Sequence, residues 1–116
     1  MTVQQLKNQE ISELIATANL SDLSKQCLSI IPESTLKDNE ITLFINAGIL
    51  DLDRQGIDVA NHIEDALIQG AIVMYVKANF GMVDLNEKKI SLERYNSICT
   101  NLSLSAEYKK GDGINV

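Results

Sequence analysis

The apolar positions recur with a helical period over nearly the whole chain. Ile11, Leu14, Ile15 and Ala18 follow i, i+3, i+4, i+7 spacing and predict a helix over residues 5–18. Asn19 breaks that pattern. Ser21 is placed to cap a second helix whose face carries Leu23, Cys27, Ile30 and Ile31, and Pro32 is expected to end it. Thr35, with Asp38 three places on, predicts the start of a third helix. Its stripe is the most regular of all: Ile41, Phe44, Ile45, Gly48, Ile49 and Leu52, closed by Gly56 as a left-handed cap.

A fourth helix is expected over residues 59–80. Ile63, Leu67, Gly70, Ala71 and Met74 form one stripe, while Ile72, Val73, Tyr75, Val76 and Phe80 cover the other faces. A helix apolar on every side is expected to be covered on every side, by its own bundle or by neighbouring subunits. Gly81 reads as its stop. Asp84 and Glu87 predict the start of a last helix with Leu92, Tyr95, Ile98, Cys99 and Leu102 on its core face. From Lys109 onward, two glycines and little apolar mass predict a flexible tail. The expectation is an all-α fold: a small bundle of four to five helices over residues 21–108, an N-terminal helical extension over 1–20 and a tail over 109–116.

Composition supports helices over strands, since only one Pro and six Gly occur among 116 residues. The length fits one domain, and 45% apolar content allows a real core. The net charge of −6 speaks against binding nucleic acid by neutralising its phosphates. Two cysteines, Cys27 and Cys99, and one histidine, His62, are too few for a structural zinc site. The longest apolar run, residues 71–76, is far short of the about 20 residues a membrane helix needs. The sequence does not open on a basic-then-apolar segment of signal type, so a reducing cytosol is the expected place of synthesis.

Candidate chemistry is thin. Asp51-Leu-Asp53-Arg-Gln55-Gly56 begins like a calcium loop, but loop position 12 is His62, which cannot give a hard cation two oxygens. Cys27 and Cys99 fall on core stripes and read as small hydrophobes. The acidic set Asp51, Asp53, Asp58, Glu64 and Asp65 lacks a partner motif and reads as a solvated connection. Tyr75 and Tyr95 are expected to pack on one another. No catalytic motif and no cofactor is implied. Leu43, Leu50, Met82, Val83 and Leu85 lie off the stripes or in connections. That surplus of apolar surface points to protein partners, including further copies of the chain.

The stretch Ala71-Ile-Val-Met-Tyr-Val-Lys-Ala-Asn-Phe-Gly81, then Tyr95, then Leu102-Ser-Leu-Ser-Ala-Glu-Tyr108, resembles the head–tail connector (adaptor) family of long-tailed bacteriophages. The resemblance extends back through residues 28–30, Asp38, Ile41, Ile45, Leu52, Gly56 and Ile57, and covers about residues 28–108. Two departures stand out: residues 1 to about 20 exceed the family's short start, and Ile98 replaces a more usual Leu.

The resemblance implies a non-enzymatic helical ring, typically twelve-fold, between the portal and the stopper or tail-completion protein. Genome DNA would pass through its lumen, in the neck of the virion. On that reading Leu43, Leu50, Ile72, Val73, Val76 and Met82 are expected at the subunit interface. Asp51, Asp53 and Asp58 are expected to line a channel whose negative charge lets DNA slide. Ile114 and Val116 alternate with Asn115 in strand fashion and are expected to add to an exposed sheet edge of the portal. The alternative is a small DNA-packaging or regulatory factor that binds nucleic acid or a packaging enzyme. It would need a basic stripe on a recognition helix, which the sequence lacks.

Overall fold

The computed structural model describes residues 6–31 and 33–110. Within them run five α-helices: α1 (Asn8–Ala18), α2 (Leu20–Cys27), α3 (Asp38–Arg54), α4 (Ala66–Asn79) and α5 (Leu85–Leu104). Two 3₁₀ turns, Ala60–His62 and Ala106–Tyr108, complete the set, and the described residues form no strand beyond one isolated bridge. The all-α expectation holds. The antiparallel pair α4–α5 has the most extensive packing, α3 lies against α4, and α2 and α1 close the other side.

Local chemistry sets most of the boundaries. Asn19 adopts the left-handed conformation (φ 53°) and serves at once as the end of α1 and the start of α2, so the second helix begins one residue before Ser21 rather than being capped by it. Asparagine tolerates that geometry better than other non-glycine residues. Helix α2 ends at Cys27, five residues short of the expected stop. Ser29 turns left-handed (φ 61°), and the N–H groups of Ser29 and Ile30 return to the carbonyls of Gln26 and Lys25. This is a Schellman closure with serine in the usual glycine place. Pro32 lies outside the described residues. Helix α3 closes the same way with Gly56 (φ 85°), as its position predicts: Gly56 and Ile57 donate to Asp53 and Leu52.

Helix α3 is entered without the expected side-chain cap. Thr35 contributes only its backbone carbonyl to the N–H of Asp38. The Asp38 carboxylate instead meets Lys25 Nζ at 2.8 Å, tying α3 to α2. Ile41, Ile45, Gly48, Ile49 and Leu52 are buried as predicted, with Phe44 half-buried beside them. Gly48 is small for a reason: a β-carbon there would lie 3.2 Å from Cδ1 of Tyr75, so α3 and α4 touch almost backbone to ring.

The fourth helix is shorter than its apolar run. Asp65 is extended, and its carboxylate accepts the N–H of Leu67 at 2.8 Å, so α4 begins at Ala66. Residues 57–65 form a connection whose apolar members Ile57, Val59 and Ile63 are nonetheless buried. The buried stripe of α4 is Ile68, Ala71, Ile72 and Val76; Leu67 is exposed, and Gly70 and Met74 are half-buried. The helix is therefore not enclosed on every side by its own chain. Phe80 ends it by turning extended, and the N–H of the following Gly81 is held by Glu40 of α3 at 2.9 Å. Asp84 caps α5 by accepting from the N–H of Glu87, as predicted.

The N-terminal stretch carries helix α1 and packs on the rest of the chain. Ile11 and Leu20 of the N-terminal stretch are core residues. Lys109 pairs with Ile57 across an antiparallel bridge, and the N–H of Lys110 bonds to the carbonyl of Gly56 at 2.8 Å. Lys109 and Lys110 are thus part of the folded body; residues 111–116 lie outside the described region.

Candidate interaction surface

The residues assigned to a channel and an interface from the sequence fall into two groups, sealed and exposed. Asp53 is sealed. Its side chain is 2% exposed, Lys110 Nζ sits on Oδ1, and the N–H of Leu6 donates to Oδ2 at 3.2 Å. A carboxylate so enclosed and paired does not line a channel, which corrects the expectation for that residue. Asp51 is half-buried and accepts from the Tyr95 hydroxyl at 2.5 Å, from Arg54 and from Gln55. Asp58 is also half-buried; it accepts from the side chain and backbone N–H of Asn61 and starts the first 3₁₀ turn. Asp51 and Asp53 both lie in α3 but turn to different partners, so the apparent calcium-loop start is ordinary helix.

Ile72 and Val76 are also corrected. Both are fully buried inside the chain, because they sit on the α4 stripe that meets its own bundle. A neighbour cannot touch them without unpacking the core. Val73 is half-buried, whereas Leu43 (61%), Leu50 (38%) and Met82 (72%) are exposed. Leu85 (83%), Leu92 and Leu104 on α5 join them. The sequence placed Leu92 on the core face; it sits beside that face, and Ser91 takes the buried position instead. Leu36 is exposed too, and so is Ile31, which the sequence placed on the core face of the second helix but which lies beyond the end of α2.

A shallow apolar groove runs where the end of α4 meets the start of α5. It is lined by Ala78, Leu85 and Leu92 and edged by Lys88 and Lys89. A second, along the same hairpin, is lined by Gly70, Met74, Ile90 and Ile98 beside Arg94. Neither collects the convergent acid, base or nucleophile a reaction centre needs. Among the described residues no group of three or more His, Cys, Asp or Glu side chains is gathered to hold a metal, and no helix is long and apolar enough to cross a membrane.

The perturbed titrating groups serve structure. Burial, then the bond to Asp51, pushes the Tyr95 phenol far above its ordinary value. Tyr95 also stands edge-on to Tyr75, with ring centres 5.2 Å apart, as the sequence predicts. Burial raises the Cys99 thiol, which makes it a poor nucleophile. Tyr108 donates its hydroxyl to Asp65 at 2.7 Å and packs its ring 4.9 Å from that of His62. That bond lowers the Asp65 carboxyl and lifts the Tyr108 phenol to about 12. Together they fasten the end of the chain to the α3–α4 connection.

A protein-family model described as "Phage connector protein" matches residues 20–111, which is most of the chain and leaves α1 outside. No curated protein and no solved structure matches it.

Proposed function

The chain belongs to the phage connector protein family, and from that premise we propose that it is a head–tail adaptor: a structural subunit that assembles into a ring between the portal and the stopper or tail. The family match carries the proposal. The exposed apolar side chains Leu43, Leu50, Met82 and Leu85 on so small a subunit support it, since a surface of that kind is expected to be covered in an assembly. Leu43, Leu50, Val73 and Met82 remain the interface residues on this reading.

Genome DNA passes through the lumen without being gripped. The net charge of −6, repeated around a ring, repels phosphates rather than binding them. Asp51 and Asp58 remain candidates for the channel wall. The portal contact is assigned to Ile114 and Val116, outside the described residues. The clamp on Lys110 fixes where that segment starts, and six residues reach at most about 20 Å from it.

No observation favours the alternative of a packaging or regulatory factor. Deleting residues 111–116 is expected to leave helical content unchanged and to weaken binding to the portal, measured by co-sedimentation with purified portal rings. Undiminished portal binding would remove the role assigned to Ile114 and Val116.

A further inference from the structure

The two ends of the described chain share the carboxylate of Asp53. Oδ1 receives the ammonium of Lys110 at 2.5 Å, and Oδ2 receives the backbone N–H of Leu6 at 3.2 Å. The contacts span 57 and 47 positions, so neither is a by-product of local helix geometry. Asp53 and Lys110 are both buried, and Leu6 is half-buried against the core. Lys110 also closes a strap, residues 105–110, over the start of the α3–α4 connection. Its N–H bonds to the Gly56 carbonyl, and the N–H of Asp58 bonds to the Tyr108 carbonyl.

A carboxylate so enclosed depends on both donors. If the strap lifts, Asp53 becomes a buried charge without its cation, and the site must open to water to solvate it. Leu6 stands at the other oxygen, so that opening loosens the N-terminal end. If the N-terminal end lifts first, water reaches the carboxylate, and its attraction for Lys110 weakens as the local dielectric rises. Losing one end therefore makes the other easier to lose. We propose that the N-terminal stretch locks the C-terminal strap, and the strap locks the N-terminal stretch, with Asp53 as the shared latch. The matched family region begins at residue 20, so the Leu6 half of the latch lies outside it. The proposal concerns the isolated chain and does not depend on the connector reading. Residues 111–116 continue from Lys110, so a partner that draws them off the body would also release the N-terminal end, and the converse holds by linkage.

Hydrogen exchange read residue by residue on the purified chain tests the latch. Leu6→Pro removes the N–H that Asp53 accepts, and Leu6→Ala removes most of the side chain but keeps that N–H. The Asp58 amide is expected to exchange about tenfold faster in Leu6→Pro than in wild type, and to change less in Leu6→Ala. It should be less protected in wild type than the Val76 amide of the α4 core. It then opens locally, and a loss of global stability alone leaves its exchange unchanged. In the other direction, Lys110→Met is expected to speed exchange at Leu6 about tenfold. The double variant, Leu6→Pro with Lys110→Met, should lose less stability to urea than the two single losses added together. Unchanged Asp58 exchange in Leu6→Pro, equal effects of proline and alanine, or additive urea losses overturn the latch. Slower exchange at Leu6 in Lys110→Met also overturns it, since the carboxylate would then grip its remaining donor harder. Should Lys110→Met fail to fold, the Asp58 amide in the two Leu6 variants decides alone.

Discussion

Lys110 places its ammonium 2.5 Å from Oδ1 of Asp53, joining the last described residue to the final turn of α3. Both side chains are largely sealed from water, at 15% and 2% exposure. The second oxygen of Asp53 takes the N–H of Leu6. One buried carboxylate therefore anchors both ends of the described chain, and the N-terminal stretch outside the family match is wired to the C-terminal strap through it.

Replacing Asp53 by Ala should therefore loosen both ends at once. Losing one member of a buried pair costs about 3 kcal/mol, and Lys110 can turn partly to water, which limits the loss. Urea denaturation should show that drop. Hydrogen exchange should show the amides of Asp58 and Lys110, bonded to Tyr108 and Gly56, losing protection before the rest of the core. Unchanged protection there would mean the strap holds without the carboxylate.

Two glycines should respond in opposite directions. Gly48→Ala drives a methyl against Tyr75, itself backed by Tyr95, and should lower stability by about 1–2 kcal/mol despite the better helix propensity of alanine. Gly70→Ala meets nothing within 4 Å and should raise stability by up to about 1 kcal/mol. Paired thermal melts decide it. Equal shifts would mean α3 and α4 are not in the close contact described.

Ser29 is held in a left-handed conformation at an exposed helix end. Ser29→Gly should raise stability by about 1 kcal/mol, the cost a β-carbon carries there. A loss on denaturant titration would show that the hydroxyl itself matters.

The Asp65–Tyr108 bond should make the strap sensitive at both ends of the pH scale. The folded Asp65 value is lowered, first by the Tyr108 hydroxyl and next by the N–H of Leu67. Its contribution is in place above the unfolded carboxyl value, about 4, and is lost as pH falls through the lower folded one. The Tyr108 value is raised to about 12 by Asp65, so its contribution is full below about 10 and is lost as pH rises toward 12. Tyr108→Phe should remove the alkaline limb from the stability-against-pH curve and shrink the acid limb to the part that the Leu67 N–H sustains. An unaltered curve would mean the bond contributes nothing.

The helices were legible in the sequence because most of the core follows one period, most clearly from Ile41 to Leu52. Boundaries were less legible where a polar residue overrode propensity. Asp65 starts α4 seven residues late by capping Leu67, although the apolar run begins at Val59. Ser29 closes α2 in a place where sequence rules look for glycine or proline. The tyrosine pair followed from spacing, but the Asp53–Lys110 clamp spans 57 positions and no periodicity reports it. The same limit applied to surfaces. Ile72 and Val76 look like any other face of an all-apolar helix until tertiary packing chooses which face turns inward.

The most direct test of the connector reading is electron microscopy of the purified chain mixed with purified portal rings of the same phage. The account predicts a ring of this chain stacked coaxially on the portal, with the two channels continuous. A chain that stays monomeric and leaves the portal bare, or that attaches off the channel axis, would contradict it.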